Sequence, residues 1–184
     1  MVHFVCVLDS IQTNTTMKSK VLSIHWTEDD KPVFSVDTHS SNLLATGGAD
    51  NDVKLWRIDG NSHQIGVDYL FSLSRHSSGV NVVRFSPNER FLASGSDDGF
   101  VFLWAVDLNN LTPSQTDSET PTSSFATQWA VATSIRAPGG DVYDLSWSPD
   151  SQFIVGGSND NSVFIASAKR GTVLHTIRDH THYV

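Results

Sequence analysis

The sequence predicts an all-β fold, a β-propeller of about three blades and the start of a fourth, from two observations. First, residues 80–104 (VNVVRFSPNERFLASGSDDGFVFLW) carry three apolar runs separated by the turn signals Ser86-Pro87-Asn88 and Asp97-Asp98-Gly99. Proline cannot donate to a strand ladder, and Asn and Gly tolerate tight-turn geometry, so the stretch predicts three short antiparallel strands. Second, the pattern repeats from residue 142, and its second half repeats from residue 45. A repeated strand meander is typical of a propeller array.

The elements before the best-preserved repeat are predicted from this pattern. Residues 1–16 carry no repeat, and we interpret them as an extension outside a fold that spans residues 17–184. The run VLSIHW at 21–26 predicts a single strand that closes the last blade of the ring. The first blade then covers about residues 33–73.

The second blade is predicted over residues 80–135 and contains a polar insertion at 107–127. Nine of the 21 inserted residues are Ser or Thr and none is Lys or Arg, so the segment cannot bury enough apolar surface to offset its ordering entropy. We expect a mobile, solvated insertion. Thr112 and Thr120 precede prolines and Ser114 precedes a glutamine, which makes them candidate phosphorylation sites, although an inert loop is the alternative.

The third blade is predicted over residues 142–177, and residues 180–184 have the spacing of the start of a fourth. Propellers close with roughly four to eight blades, so three blades and a fragment predict a piece of a longer protein. An array that does not close would leave unpaired strand edges.

Composition limits the classes of partner. The chain has 184 residues, 39% apolar and 17% charged, which fits a folded domain. A net charge of −8 argues against a surface for nucleic-acid backbones and is compatible with a basic protein partner. No apolar run approaches the roughly 18 residues of a membrane span, so no membrane partner is expected. Cys6 is the single cysteine, which excludes an intrachain disulfide.

Three residues of the second repeat have the composition of a hydrolase triad: His76, Ser94 and Asp98. Ser94 lies inside a predicted strand rather than on a strained strand-to-helix turn, which disfavours a nucleophile. We therefore predict a structural network in which the Trp104 indole donates to Ser94, Ser94 bonds His76, and His76 meets Asp98. Related positions in the other repeats are Thr46, Asp50, Trp56 and Asp160.

No enzyme chemistry, metal site or cofactor is predicted. The eight histidines show no zinc-ligand spacing, and the Gly-Gly pairs do not open a helix as a phosphate loop would. A binding surface remains, formed where loops precede the innermost and third strands. Exposed aromatic residues with acidic neighbours would suit a basic peptide or protein, whereas packing of Phe34 and Tyr143 between blades is the alternative. The predicted partner-binding residues are Phe34, Asn81, Asp97, Tyr143, Asn159 and Tyr183.

The quoted motifs resemble the WD-repeat family. The stretch HSSGVNVVRFSPNERFLASGSDDGFVFLW matches its pattern of a His-led loop, a strand, a Ser-Pro turn and a final Leu-Trp. The resemblance implies a seven-bladed ring and places the family's polar tetrad on His76, Ser94, Asp98 and Trp104. The first repeat has Asp29 in place of the histidine. The third has Pro138, Gly156 and Ala166 around Asp160, so we expect that blade to rely on packing.

Longer strings narrow the resemblance. The segments SLSRHSSGVNVVRFSPNERFLASGSDDGFVFLW, VYDLSWSPDSQFIVGGSNDNSV and DHTHYV resemble the WD-repeat middle subunits of chromatin assembly factor 1. That resemblance implies a nuclear, non-enzymatic subunit of a histone chaperone complex, which assembles nucleosomes during DNA replication and repair. Its implied partners are core histones and the large subunit of the complex, without sequence-specific contact to nucleic acid.

Two alternatives are open at this point. The HIR-type replication-independent histone chaperones share strings such as KPVFSVD with this chain. A generic WD-repeat adaptor, for example a substrate receptor of a ubiquitin ligase, would have the same fold and a different partner.

Overall fold

The computed structural model describes residues 2–7, 19–24, 30–61, 64–106, 129–182 and 184. These residues form fourteen strands arranged as three four-stranded antiparallel sheets and one two-stranded sheet, which confirms the all-β prediction. No helix in this described part of the chain is long and apolar enough to cross a membrane.

Each four-stranded sheet is a blade whose strands follow chain order. The first blade contains β3 (Val33–His39), β4 (Leu43–Gly48), β5 (Asp52–Asn61) and β6 (Gln64–Ser74). The second contains β7 (Val80–Phe85), β8 (Phe91–Ser96), β9 (Phe100–Val106) and β10 (Trp129–Arg136). The third contains β11 (Val142–Trp147), β12 (Phe153–Ser158), β13 (Val163–Ser167) and β14 (Thr172–Ile177).

The two-stranded sheet pairs β1 (Val2–Val7) with β2 (Ser19–Ile24), apart from the three blades. Part of the predicted 1–16 extension is therefore a strand. The role of residues 21–26 in closing a ring stays a prediction, as do the domain boundaries. The insertion at 107–127 lies outside the described residues.

The repeat pattern of the first blade predicts its third and fourth strands over about residues 52–57 and 68–73, and the hairpin of β5 and β6 extends further. The strand ladder continues from the Ile58–Val67 pair out to Asn61–Gln64. Ile58 and Val67 pack against the buried pair Leu44 and Trp56, and this contact gives the outer part of the hairpin an apolar support.

The second turn of every blade places one residue in the left-handed backbone region. These residues are Asn51, Gly99 and Asn161, with φ of 70°, 76° and 66°. Asn and Gly are the residue types that adopt this conformation at least cost, so the repeated Asp-Asn and Asp-Gly dipeptides specify the turn.

The blades stack through their faces, with the innermost strands β3, β7 and β11 next to one another. One apolar core lies between the first and second blades, with Leu55, Val83 and Trp104 among its members. Another lies between the second and third, with Leu103, Ile154 and Phe164.

A glycine near the end of the second strand of each blade receives the next part of the chain. A Cβ at Gly47 would lie 2.6 Å from Val80 Cγ1, and a Cβ at Gly95 would lie 2.7 Å from Val142 Cγ1. Gly157 repeats the contact, because a Cβ there would lie 2.6 Å from the Val184 carbonyl oxygen. Only a bare backbone permits these approaches.

Candidate binding surface

A continuous hydrogen-bonded network ties the second blade together. Trp104 Nε1 donates to Ser94 Oγ at 2.9 Å, Ser94 Oγ lies 2.8 Å from His76 Nε2, and His76 Nδ1 lies 2.9 Å from Asp98 Oδ2. Asp98 also accepts from the backbone N–H groups of Ser77 and Phe100. The network therefore joins the β6–β7 loop, the strands β8 and β9 and the turn between them.

The donor count of this network favours neutral His76. With the proton on Nδ1, the imidazole donates to Asp98 and accepts the hydroxyl proton of Ser94, while Trp104 supplies the remaining N–H. Burial lowers the pKa of His76 from its usual 6.5, and this effect exceeds the opposing hydrogen bond and charge of Asp98. Burial opposes ionisation of the Asp98 carboxyl, but the N–H groups of Phe100 and Ser77 and the bond to His76 outweigh it and lower its pKa.

The buried location of Ser94 decides between the catalytic and structural interpretations of these residues. Ser94 lies within β8 with 0% of its surface exposed, and the His76 side chain is equally inaccessible. A substrate cannot reach this hydroxyl in the folded chain. The arrangement instead supplies a partner for every buried polar atom it contains.

Among the described residues, the first blade keeps the Trp-to-hydroxyl bond of this network. Trp56 Nε1 donates to Thr46 Oγ1 at 3.0 Å, which matches the bond between Trp104 and Ser94. The carboxylate of Asp50 forms an ion pair with Lys54 instead of a histidine. Asp29, which stands in the histidine position, lies outside the described residues.

In the third blade an aromatic ring replaces the polar network. Gly156 stands where Ser94 stands in the second blade, and the ring of Phe164, which is 0% exposed, fills the space beside it. The Asp160 carboxylate accepts a hydrogen bond from the Ser162 hydroxyl within its own hairpin. This bond lowers the pKa of Asp160, whereas burial opposes the shift. Asp160 also pairs with Arg178 at 3.4 Å.

Each innermost strand begins with a β-bulge at a predicted binding residue. The pairing register shifts at Phe34 in β3, at Asn81 in β7 and at Tyr143 in β11. A bulge adds an unpaired residue and re-aims its side chain. Phe34 is 51% exposed and Tyr143 is 41% exposed. Phe34 also lies near the next blade, since a Cβ at Gly79 would be 3.3 Å from its ring.

Amide side chains hold two carboxylates next to these bulges. Asn81 Nδ2 donates to Asp97 Oδ1 at 2.6 Å and to the Val142 carbonyl at 3.0 Å. Asn159 Nδ2 donates to Asp141 Oδ2 at 2.6 Å. An amide donor orients a carboxylate without adding a compensating positive charge. We define the acidic rim by six residues, namely Phe34, Asn81, Asp97, Asp141, Tyr143 and Asn159.

The remaining predicted site residues fall outside the described part of the chain. They are Tyr183 and the candidate phosphorylation sites Thr112, Ser114 and Thr120. Within the described ranges, no three His, Cys, Asp or Glu side chains come together in a group that could hold a metal ion.

Bonds between blades are the polar contacts that sequence analysis missed. Phe85 N donates to Asp37 Oδ2 at 2.7 Å, and Val83 N donates to Ser35 Oγ at 3.1 Å. Arg84 continues the series towards the third blade by pairing with Asp144 at 2.8 Å. Side chains of one blade thus satisfy edge N–H groups of the next. The sequence signal that could have predicted these bonds is a pair of polar residues two positions apart in the innermost strand, such as Ser35 and Asp37 in VFSVD.

Comparison with known proteins identifies similar chains. The family profile described as the CAF1B/HIR1 beta-propeller domain matches residues 17–184. A chromatin assembly factor 1 subunit of Schizosaccharomyces pombe is 37% identical over 174 residues, which cover 91% of this chain and 34% of that protein. The FAS2 homolog of the same factor in Oryza sativa subsp. japonica is 38% identical, over 91% of this chain and 31% of its own.

A HIR-type protein and a solved structure are also similar to this chain. Protein HIRA of Zea mays is 34% identical over 76% of this chain and 15% of that protein. The crystal structure of Saccharomyces cerevisiae Sqt1 superposes with a TM-score of 0.61 and 20% identity, over 83% of this chain and 37% of that one, which shows the fold alone. The β-propeller prediction is thereby confirmed. The chain spans about a third of the length of the curated chromatin assembly factor relatives cited above.

Proposed function

The chain belongs to the CAF1B/HIR1 β-propeller family, and on that premise we propose that it is a non-enzymatic subunit of a nuclear histone chaperone complex. We infer that it helps to assemble nucleosomes during DNA replication and repair, by binding core histones and the large subunit of the complex. The names of relatives at 37% and 38% identity, both subunits of chromatin assembly factor 1, support this proposal.

The acidic rim is the observation on which histone binding rests. Asp97 and Asp141 are oriented by asparagine amides, and among the described residues neither forms a salt bridge with a cation. Core histones are strongly basic, so two uncompensated carboxylates offer lysine and arginine side chains direct partners. Opposite potentials across an interface also raise the rate of association.

The exposed aromatic residues of the acidic rim would add apolar contact to this charge complementarity. Phe34 and Tyr143 are 51% and 41% exposed, and bulges fix the backbone on which each is carried. Aromatic residues are enriched among the residues that contribute most to protein interfaces. A rigid backbone reduces the entropy lost when a partner binds.

A titration of the full chain with purified histone H3–H4 tests the proposal. Asp97→Lys and Asp141→Lys should each weaken binding by roughly tenfold, because each turns an attraction into a repulsion. Glu89→Lys is the matched control, since Glu89 is exposed, its side chain has no hydrogen bond among the described residues, and it lies in the β7–β8 turn at the other end of the strands. Equal affinity for all four proteins would refute the role of the acidic rim.

Co-purification from replicating nuclei tests the partner assignment. We expect the large chromatin-assembly subunit and histones to co-purify with the tagged chain. The match to maize HIRA over 76% of this chain makes a HIR-type complex the second candidate, and recovery of its subunits instead would favour it. Recovery of ubiquitin-ligase subunits without histones would point to a generic adaptor.

A further inference from the structure

A groove of about 800 Å³ lies between the second and third blades, away from the acidic rim. The turn from β11 to β12 and the turn from β13 to β14 contribute to its lining, whereas the acidic rim is built at the opposite ends of these strands. Pockets that hold small ligands or anchoring side chains have volumes of this order. The lining includes Phe91, Ala132, Phe153, Lys169, Arg170 and Leu174, together with polar side chains such as Gln152.

Two β-bulges shape the walls of this groove. In β10 the register shifts around Ala132, and in β14 it shifts around Leu174. Each bulged residue lines the groove, one from each blade. Leu174 is 40% exposed and Phe153 is 39% exposed, so the apolar lining faces solvent. Exposed apolar surface that is concave and adjoins polar residues is typical of a docking site.

Backbone hydrogen bonds hold the wall that carries the charged residues. Ala168 N donates to the Gln152 carbonyl at 3.0 Å, and Gly171 N donates to the Ser167 carbonyl at 2.9 Å. Gly171 has φ of 66°, and a Cβ there would lie 2.7 Å from the Ser134 carbonyl oxygen of β10. The β13–β14 turn is therefore held against the second blade. A preformed site binds without the cost of ordering a loop.

The charge of the groove is opposite to that of the chain as a whole. Lys169 and Arg170 are exposed, and among the described residues no carboxylate forms a salt bridge with either. Asp150, in the nearby β11–β12 turn, accepts bonds from Ser148 Oγ and Gln152 N and does not line the groove. On a chain of net charge −8, these two cations beside an apolar concavity form a local anion-attracting site.

We propose that this groove docks a short peptide segment of a partner protein in which apolar side chains are flanked by Asp or Glu. The apolar side chains enter between Phe153 and Leu174, and the carboxylates meet Lys169 and Arg170. The groove lies at the opposite ends of the strands from the acidic rim, and its occupant differs in chemistry from the basic partner proposed there, so the two surfaces can be occupied together. Docking at the groove is independent of the proposed function.

Fluorescence anisotropy of the full chain tests the groove with a labelled Glu-Asp-Leu-Phe-Asp-Glu peptide. Saturable binding that weakens as salt is raised is expected, with little binding of Lys-Lys-Leu-Phe-Lys-Lys or of Glu-Asp-Ser-Ser-Asp-Glu. Lys169→Glu and Arg170→Glu should each reduce affinity roughly fivefold, and Leu174→Ser should reduce it as well. Arg90→Glu is the matched control, because Arg90 is exposed in the β7–β8 turn and does not line the groove.

Four outcomes would overturn the proposal. The first is that the acidic peptide shows no saturable binding, and the second is that the charge-reversed and control variants bind it with equal affinity. The third is that an oligothymidylate of matched charge binds and is weakened as much by the charge-reversing substitutions. The fourth is that this chain forms a dimer that Arg170→Glu dissociates. Far-UV circular dichroism checks that each variant is folded. If a charge-reversed variant does not fold, Lys169→Gln or Arg170→Gln takes its place. The expected loss of affinity is then smaller than for charge reversal.

Discussion

The ring of Phe164 fills the space next to the backbone of Gly156, so that even a single methyl group on Gly156 would overlap it. In the second blade the corresponding position is Ser94, the centre of a four-residue polar network. Two neighbouring blades of one chain thus stabilise equivalent positions of their sheets by different interactions, hydrogen bonding in the second blade and apolar packing in the third. One pairs all its buried polar atoms, and the other removes them.

Gly156→Ala should destabilise the chain by about 1–3 kcal/mol, because the added methyl group forces Phe164 out of its packed position. Phe164→Leu removes the obstructing ring tip. The double variant should therefore lose less stability than the sum of the two single variants, as expected for residues in contact. Urea denaturation of the three variants measures the coupling, and strict additivity would contradict the contact.

Ser94→Ala should lower the free energy of unfolding by about 1–3 kcal/mol, because the indole N–H of Trp104 and Nε2 of His76 both lose their partner in a buried site. Ser134→Ala is the control, since Ser134 is exposed in β10 and its hydroxyl has no hydrogen-bond partner among the described residues. Its effect should stay within about 0.5 kcal/mol. Equal effects of the two substitutions would show that the network adds no stability.

Stability should fall as the pH drops below about 6.5. The pKa of His76 is lower in the folded chain than its usual 6.5, so the unfolded chain binds more protons in the window just below that value. The contribution of neutral His76 to the free energy of unfolding is fully present above pH 6.5. As the pH falls below that value, it is lost at up to about 1.4 kcal/mol per pH unit, the limit for one titrating group. Asp98, whose pKa is also lowered, adds a second loss below about pH 3.8.

His76→Gln separates this contribution from those of the other histidines, because glutamine does not titrate. The slope of unfolding free energy against pH between 6.5 and 5 should become shallower in this variant. An unchanged slope would assign the pH dependence to groups other than His76.

Gly95→Ala should lower the free energy of unfolding by disturbing the packing of the second blade against the third. The added Cβ would lie 2.7 Å from Val142 Cγ1 in the third blade and 2.8 Å from Val82 Cγ1 in its own blade. Overpacking of this kind costs about 1–3 kcal/mol. Gly66→Ala in β6 is the control, since no atom lies within 4 Å of a Cβ at that position. The control should be neutral or slightly stabilising, as alanine loses less backbone entropy on folding. Thermal unfolding of both variants provides the comparison.

The fold could be predicted because its information is local. Turn dipeptides such as Asp98-Gly99 are read directly from sequence, and their left-handed residues lie where the pattern indicates. The residue types of the polar network in the second blade were also visible, since Asp recurs at a fixed position in all three repeats and Trp in two of them. Repetition supplied the assignment of strands to blades without any knowledge of tertiary contacts.

The bulges that shape the proposed binding surfaces could not be predicted in the same way because they depend on register, although five of the six acidic-rim residues were predicted from their positions in the repeats. Each bulge, at Asn81 or Leu174 for example, is a mismatch between two strands and has no signature in either one alone. The bond from Phe85 N to Asp37 likewise requires two blades to be placed side by side. The loss of the network in the third blade was visible at Gly156 and Ala166, but the sequence did not indicate that Phe164 would fill the space.

The contact between Gly47 and Val80, repeated between Gly95 and Val142, has a direction. The glycine always belongs to the earlier blade and the valine to the later one, so each blade carries two different surfaces. Such an interface is heterologous, and head-to-tail repetition of it yields a closed ring or an open spiral according to the rotation at each step. In a propeller of this kind, successive blades of a single chain are joined by the same head-to-tail interface. The absence of a side chain at Gly47 and Gly95 therefore sets how closely each of these two blades can approach the blade that follows it.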